Sequence, residues 1–134
     1  AISFALRDKR IANSDAIVIL PGDIPLITTE EIENFINDAP KNGIRIAPDR
    51  DREGTNALLL APPTLIKTQF GKLSYSRHLE LAEKCCSNVE VIDSDGLAFD
   101  IDSPEDLKDF CGTASSTKSY EFLKRNGIAA SLLG

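Results

Sequence analysis

The sequence feature that most constrains the fold is an unbroken apolar run, Ile17–Leu20, which ends at a Pro-Gly turn. A short run without polar residues is typical of a strand that is covered on both faces, and therefore of a parallel sheet between helices. Asp23 follows this predicted central strand, at the end of the sheet where α/β proteins usually bind ligands. Pro21 and Pro25 restrict the backbone around it, so we expect a fixed carboxylate. The alternative is an Asp that is satisfied within its own turn.

Strand-like and helical patterns alternate along the rest of the chain. Apolar runs predict strands over 17–20, 44–47, 56–61, 89–92 and 97–101. Helical spacing predicts helices over 2–11 and 74–86, a short helix or turn over 63–71, and helices after the N-cap candidates Thr28 and Ser103. We therefore predict an α/β fold with three layers and a mostly parallel sheet. Residues 1–112 would form this domain, and residues 113–134 a linker and a C-terminal extension.

Composition narrows the classes of function. A net charge of -6 over 134 residues argues against nucleic-acid binding through a basic surface. No apolar segment approaches the length of a membrane span, so no membrane partner is expected. The three cysteines show no CxxC spacing, which favours a cytoplasmic location, and the adjacent Cys85 and Cys86 are predicted core residues. An acidic site that binds a phosphorylated partner through a metal ion is compatible with this charge.

A second acidic element contains Asp100 and Asp102, separated by Ile101. Side-chain alternation in an extended segment places both carboxylates on one side. Two close carboxylates repel each other unless a cation lies between them, and Asp23 can converge on them because both acidic elements follow predicted strands. Three carboxylates without a His or Cys partner favour Mg²⁺ or Mn²⁺ over zinc. In the alternative, Asp102 only leads into the next helix and Asp100 is solvated.

Two further segments combine glycine with a hydroxyl side chain, and both are candidate anion sites. Thr55 precedes a predicted strand, whereas Gly71 and Ser74 precede a predicted helix. His78 lies one helical turn after Ser74 and shares its face, so we expect it to contact the same ligand. Each residue has an ordinary alternative, which is a turn residue for Thr55, an N-cap for Ser74 and a surface histidine for His78.

Four segments occur in an order and at intervals that resemble one family: LPGDIPLIT, PDRDREGTNALLL, FGKLSYSRHLELA and FDIDSPEDL. Together they resemble the 2-phospho-L-lactate guanylyltransferases of coenzyme F-420 biosynthesis, over residues 1–111. The resemblance implies a nucleotidyltransferase with a glycosyltransferase-A-like fold, in which Mg²⁺ is held by Asp23, Asp100 and Asp102. It also implies that a phosphorylated three-carbon acid is bound by Thr55, Gly71 and Ser74.

The implied reaction joins GTP to 2-phospho-L-lactate, or to phosphoenolpyruvate in some relatives, and releases pyrophosphate. Mg²⁺ would offset the repulsion between the acceptor phosphate and the α-phosphate of GTP. The chain begins at Ala1 and lacks the family's N-terminal strand and Gly-Lys/Arg-rich loop, which bind GTP. We therefore expect a chain truncated at its N-terminus that holds the acceptor and metal half of the site. Arg52 and Glu53 also depart from the small residues that relatives often have there.

Two other functions stay open at this point. One is a different nucleotidyltransferase, with a sugar-phosphate or molybdopterin acceptor. The other is a non-catalytic α/β binding module, in which the acidic residues serve only turns and helix caps. A homodimer is compatible with all three functions, because a truncated sheet leaves an edge and an apolar tail to cover.

Overall fold

The α/β architecture follows the predicted alternation of apolar patterns. The computed structural model describes residues 2–85, 88–113 and 115–134. In chain order its elements are α1 (Ile2–Ala5), α2 (Lys9–Ala12), β1 (Ile17–Ile19), α3 (Thr29–Ile36), β2 (Gly43–Pro48), β3 (Thr55–Ala61), α4 (Ser74–Lys84), β4 (Asn88–Val91), α5 (Asp95–Ala98), α6 (Pro104–Gly112), α7 (Lys118–Arg125) and α8 (Ile128–Leu133). None of the helices in these ranges has the length and apolar character that a membrane crossing requires.

The four strands form one mixed sheet in the order β1-β3-β2-β4. β2 and β4 are parallel, whereas β3 runs antiparallel to both of its neighbours. Three of these strands therefore point the same way, but two of the three pairings are antiparallel, so the prediction of a mostly parallel sheet is wrong in this respect. The reason is the short connection over residues 49–54, which suits a hairpin and is too short for the crossover that parallel strands require.

The central strands β2 and β3 are buried along their whole length. Side chains of β3 alternate between two apolar clusters, one on each face of the sheet. Leu59 packs in the cluster that contains Phe35 of α3, whereas Leu58 and Leu60 pack in the cluster that contains Ala82 of α4. This arrangement confirms the three predicted layers of helix, sheet and helix.

β1 contains the apolar run that we predicted as a central strand. In the described part of the chain it lies at an edge of the sheet and pairs with β3 alone. Val18 is 37% exposed and Leu20 is 39% exposed. The prediction is wrong for the described residues, because an apolar run shows which residues can be buried and not how many neighbouring strands the fold supplies.

The predicted strand over 97–101 is also absent from the described part of the chain, where α5 occupies its first residues. The Ser94 hydroxyl caps this helix by accepting a hydrogen bond from the amide of Leu97. Glu31 of α3 fixes it from outside, since its carboxylate accepts a bond of 2.7 Å from the amide of Gly96. A tertiary contact therefore helps to determine the conformation of this short apolar segment, because its pattern fits either a strand or a helix.

Two helices begin at the N-cap residues that the sequence predicts. Thr28 and Ser103 both form the predicted caps, and each is part of a capping box. The predicted helix over 2–11 is instead two short helices, because Asp8 accepts a hydrogen bond from the amide of Arg10 and starts α2 anew. Cys85 is exposed rather than buried in the core, and the prediction for Cys86 lies outside the described residues.

Two short helices close the chain, and both contact α6. α7 begins at the N-cap Thr117, and α8 follows Gly127, whose φ is 72°. α8 packs against both α6 and α7, with Ala129 buried. The C-terminal residues are thus attached to the helix that follows the acidic segment. The proposed boundary at residue 112 stays a prediction.

Candidate functional site

A backbone hydrogen bond joins the two acidic segments of the sequence. Asp23 lies in the loop after β1, and Asp100 and Asp102 lie in the extended segment between α5 and α6. The amide of Ile101 donates to the carbonyl oxygen of Asp23 over 3.0 Å. Because Ile101 separates Asp100 from Asp102, this bond brings the early carboxylate and the late pair to the same part of the molecule.

These segments border a cavity of about 440 Å³, which we call the acidic cavity. Six of the seven residues predicted from the sequence line it, namely Asp23, Thr55, Gly71, Ser74, Asp100 and Asp102. They come from the loop after β1, the start of β3, the start of α4 and the segment before α6. The fold therefore brings the predicted carboxylates and the predicted anion-binding residues to one place.

The site residues predicted from the sequence do not include four polar residues of this cavity, namely Asp49, Glu53, Asn56 and Lys72. Asp49 closes the loop between β2 and β3, since its carboxylate accepts from the amides of Glu53 at 2.9 Å and Gly54 at 2.7 Å. It follows an apolar strand, just as Asp23 does, so the same rule could have found it. Asn56 gave no such signal because it lies within β3.

The wall of the acidic cavity carries an excess of negative charge. Among the described residues that line it are one lysine and five carboxylates, from Asp23, Asp49, Glu53, Asp100 and Asp102. Burial raises the pKa of Asp100 above its ordinary value, and the charges of Asp102 and Asp49 raise it further. The ionised form of Asp100 is therefore disfavoured unless a cation or a hydrogen-bond donor compensates for it.

The donor set fits a hard divalent cation. Mg²⁺ prefers oxygen ligands and is often held by one or two carboxylates together with water and substrate phosphates. Asp23 and Asp102 are exposed and Asp100 is half-buried. Within the described ranges, no three His, Cys, Asp or Glu side chains form a ready-made metal cage. The arrangement thus suits an ion that is shared with a substrate, and not a closed structural metal site.

Asn56 carries a buried donor without an acceptor. It is 4% exposed, and its Nδ2 has no hydrogen-bond partner among the described residues. The amide lies close enough to Asp100 to oppose the rise in the pKa of that carboxyl, although Nδ2 does not reach hydrogen-bonding geometry with it. Buried N–H groups are nearly always paired. An oxygen atom of a ligand in the cavity would supply the missing acceptor.

Another part of the wall of the acidic cavity is the start of α4. The N-cap residue is Leu73, with φ 59° and no side-chain cap, so the alternative of Ser74 as an ordinary N-cap is wrong. Ser74 is instead the first helical residue and is buried. Gly71 has φ 109°, a conformation that favours glycine. An uncapped N-terminus of an 11-residue helix favours a negatively charged ligand.

His78 does not line the cavity, so the structure corrects the prediction of a direct ligand contact. The ring is fully buried one turn behind Ser74. Its Nδ1 lies 2.9 Å from Oγ1 of Thr55, and its Nε2 accepts a hydrogen bond of 2.9 Å from the amide of Gln69. Burial lowers the pKa of His78 from 6.5 to about 4, so the ring is neutral near pH 7. The alternative of a surface histidine is wrong as well.

The loop between β2 and β3 contains Arg52 and Glu53, the two residues that replace the small residues expected from the resemblance. Their surroundings differ. Glu53 lines the acidic cavity. Arg52 instead pairs with Asp93 over 2.7 Å and donates to the hydroxyl of Tyr75 over 3.1 Å. Glu53 is thus in a position to affect ligand choice, whereas Arg52 connects the loop to α4 and to the residues after β4.

Two similar proteins carry guanylyltransferase names. A phosphoenolpyruvate guanylyltransferase from Sphaerobacter thermophilus is 41% identical over 109 residues, which are 81% of this chain and 53% of that protein. A 2-phospho-L-lactate guanylyltransferase from Methanoculleus marisnigri is 34% identical over 115 residues, which are 86% of this chain and 52% of that protein. The chain spans about half the length of these relatives.

A solved structure and a family model complete the comparison. A crystal structure from Desulfovibrio desulfuricans G20, described as a nucleotide-diphospho-sugar transferase, matches 98% of this chain and 60% of its own with a TM-score of 0.72. At 19% identity this likeness shows the fold alone, and it agrees with the predicted nucleotidyltransferase fold. The model of the family "Guanylyl transferase CofC like" matches residues 4–132. This range includes every residue of the predicted site, and the chain belongs to the guanylyl transferase CofC-like family.

Proposed function

We propose that the acidic cavity is the acceptor and metal site of a guanylyltransferase. The proposed reaction joins GTP to a phosphorylated three-carbon acid, phosphoenolpyruvate or 2-phospho-L-lactate, and releases pyrophosphate. The names of the two relatives support this class of reaction. The proposed setting is coenzyme F-420 biosynthesis in the cytoplasm, and the free thiols of Cys85 and Cys111 are compatible with a reducing compartment.

One observation carries the proposal, and it is the composition of the acidic cavity. Carboxylates from two distant segments line the same cavity as Thr55, Gly71 and Ser74. A turn residue or a helix cap has no need to share a cavity with the others, so the non-catalytic alternative does not account for the convergence. A site that must bind both a cation and a phosphorylated anion does account for it.

Mg²⁺ is the proposed metal, and Asp23, Asp100 and Asp102 would hold it. When bound, it would neutralise phosphate charge at the reacting centre. Two observations support this assignment, namely the carboxylate-only donor set and the raised pKa of Asp100. The excess of carboxylates adds a third argument, because a phosphorylated anion would be repelled from this cavity without a cation.

The hydroxyl residues would bind and orient the acceptor. Thr55 and Ser74 supply hydroxyl groups, and Gly71 and the start of α4 supply backbone near them. The acceptor phosphate is already ionised at neutral pH, so the reaction needs no base from the protein. One of its oxygens forms a bond to the α-phosphorus of GTP. The bond from that phosphorus to the β-phosphate oxygen breaks, and pyrophosphate leaves with the electron pair.

The test is product formation from GTP and Mg²⁺ with phosphoenolpyruvate or 2-phospho-L-lactate, followed by ³¹P NMR and a pyrophosphate assay. These assays use a polypeptide in which this chain follows the family's nucleotide-binding segment. Calorimetry with the chain alone tests the acceptor half by itself, through Mg²⁺-dependent binding of the two acids. We expect pyrophosphate release with at least one of the two acids, and its loss when Mg²⁺ is removed. Release with glucose 1-phosphate instead would favour a nucleotidyltransferase with a sugar-phosphate acceptor. Mn²⁺ binding that is the same in wild type and in Asp102→Asn would favour the non-catalytic module.

A homodimer stays a separate prediction. The edge strand β1 contains Val18 and is followed by Leu20, both partly in solvent, and it is compatible with pairing between two copies. Sedimentation equilibrium would check it, and a monomer at all concentrations would contradict it.

A further inference from the structure

We propose that His78 is a positioning residue, which fixes the hydroxyl of Thr55 as a hydrogen-bond donor to an anionic oxygen in the acidic cavity. This inference rests on the proposed function, because it concerns how the acceptor is recognised. It differs from the role predicted from the sequence, since the imidazole ring acts through Thr55 and does not contact the ligand. The ligand class is a phosphate or carboxylate group.

The tautomer of His78 follows from its neighbours. The amide of Gln69 can only donate, and it points at Nε2 over 2.9 Å. Nε2 therefore carries no proton, and the proton of the neutral ring is on Nδ1. Nδ1 lies 2.9 Å from Oγ1 of Thr55. The ring thus donates to Thr55, and the direction of this hydrogen bond is set by the backbone of Gln69.

This direction determines what Thr55 can offer to a ligand. A free hydroxyl group can rotate and act as donor or acceptor. Oγ1 of Thr55 already accepts from His78, and in the described part of the chain it has no second hydrogen-bond partner. Its own proton therefore remains available. Thr55 is 7% exposed and lines the acidic cavity, so an oxygen of a bound anion is the natural acceptor.

Carboxylates outnumber cationic side chains among the described residues of this cavity, so a donor of fixed direction contributes to anion binding. Five carboxylates repel a phosphorylated acid, and each oriented donor helps to hold it against that repulsion. The ring of His78 is fully buried and packs edge-on against Phe70, with ring centroids 4.9 Å apart. It cannot turn to exchange its two nitrogens without breaking these contacts. The lowered pKa, about 4, keeps the ring neutral near pH 7, and the Gln69 amide then selects the tautomer.

The first experiment observes the tautomer directly. His78 is the only histidine of the sequence, so untagged, ¹⁵N-labelled protein gives one imidazole pattern that needs no assignment by mutation. We expect a protonated Nδ1 and an unprotonated Nε2 in long-range ¹H–¹⁵N spectra at pH 7. The reverse tautomer, or fast exchange between the two, would overturn the inference without reference to any activity.

The second experiment separates positioning from packing with two matched variants. His78→Asn retains an amide group near the position of Nδ1, and His78→Gln retains one near the position of Nε2. We expect His78→Gln and Thr55→Val each to raise KM for phosphoenolpyruvate about tenfold, with KM for GTP unchanged. Thr55→Val removes the hydroxyl that donates to the anion, and His78→Gln removes the ring donor that fixes the direction of that hydroxyl. His78→Asn should keep KM for phosphoenolpyruvate within about twofold of wild type, although it loses the bond from Gln69 and some thermal stability.

A double variant completes the test. If His78 acts through Thr55, Thr55→Val/His78→Gln raises KM for phosphoenolpyruvate no more than Thr55→Val alone. Additive effects, or KM values that follow thermal stability in all variants, would overturn the inference and leave His78 a core residue. If the chain shows no Mg²⁺-dependent binding of either phosphorylated acid, the proposed function is overturned instead, and the tautomer spectrum still decides the hydrogen-bond direction.

Discussion

Two walls of the acidic cavity differ in how firmly the fold holds them. The carboxylate wall consists of Asp23, Asp100 and Asp102, of which the first and last are exposed. The hydroxyl wall consists of Thr55 and Ser74, which are 7% and 2% exposed. A buried histidine contacts the hydroxyl wall from behind, whereas the hydrogen bond that Asp23 makes within the described ranges is through its carbonyl oxygen.

This difference indicates which parts of the site are ready before a ligand arrives. The hydroxyl wall is fixed by packing and hydrogen bonds, so little conformational freedom is lost when an anion binds. The carboxylate wall holds close negative charges whose mutual repulsion a cation would relieve. Substitutions in the carboxylate wall should therefore affect activity much more than stability, and substitutions in or behind the hydroxyl wall should affect both.

The largest expected effect is the loss of activity in Asp23→Asn. Replacing this exposed carboxylate by an amide removes a charge that the proposed metal needs, so we expect turnover to fall about a thousandfold. The melting temperature should stay close to wild type, because the backbone hydrogen bond to Ile101 remains. Asp15→Asn is the matched control, since Asp15 is exposed and does not line the acidic cavity. Equal activities in the two variants would contradict a metal role for Asp23.

The next effect is the pH dependence of stability that comes from His78. Its pKa is about 4 in the folded chain against 6.5 as the ordinary value, so the unfolded chain binds more protons between these two values. The free energy of unfolding should fall as the pH drops from 6.5 to 4, by about 3 kcal/mol for this group. Urea titrations of wild type and His78→Asn across this range would measure it. Identical pH slopes in both proteins would contradict the lowered pKa.

Gly71→Ala should have a smaller effect on stability, and this variant tests the backbone conformation at Gly71 alone. An added Cβ meets no atom within 4 Å, but φ at this position is 109°. We expect a loss of about 2 kcal/mol in the free energy of unfolding, together with a higher KM for the acceptor. Gly112→Ala is the control, because its Cβ also meets nothing within 4 Å and its φ is not in the positive range. Equal stabilities of the two variants would show that the turn before α4 is not strained.

The smallest expected effect is a gain in stability in Asn56→Leu. This change removes a buried amide that lacks a partner, so the free energy of unfolding should rise by about 1 kcal/mol. Acceptor binding should weaken in the same variant, which would mark Asn56 as a residue kept for its ligand. A drop in stability, measured by urea titration, would show instead that the Asn56 amide is satisfied within the fold.

The carboxylate wall was easier to predict from the sequence than the hydroxyl wall. Asp23 follows a strand and Asp102 precedes a capped helix, and both signals can be found without knowing the fold. Asp100 was predicted from a strand over 97–101 that the described part of the chain does not contain. The capping boxes at Thr28 and Ser103 are local in the same sense, and both are present. These helix caps, which depend on residues close together in the sequence, were therefore predicted correctly.

Several other features that depend on distant partners were not predicted. The sequence places His78 on the face of Ser74, but only the packed structure shows that the ring turns toward Thr55 and Gln69. The first residues of the run at 97–101 belong to α5, which Glu31 stabilises by accepting from the amide of Gly96. The pairing of β1 with β3 alone likewise depends on the arrangement of all the strands, which periodicity in one segment does not contain.

The contact between Ile101 and Asp23 is made by main-chain atoms, and this has a consequence for evolution and for protein engineering. Side chains at both positions can vary while the spacing between the two acidic segments is retained, since every residue except proline provides the required amide. The preference of the proposed metal site can therefore be tested by exchanging the carboxylates for other ligands on the same backbone. A proline at position 101 would separate the segments while leaving every carboxylate in place.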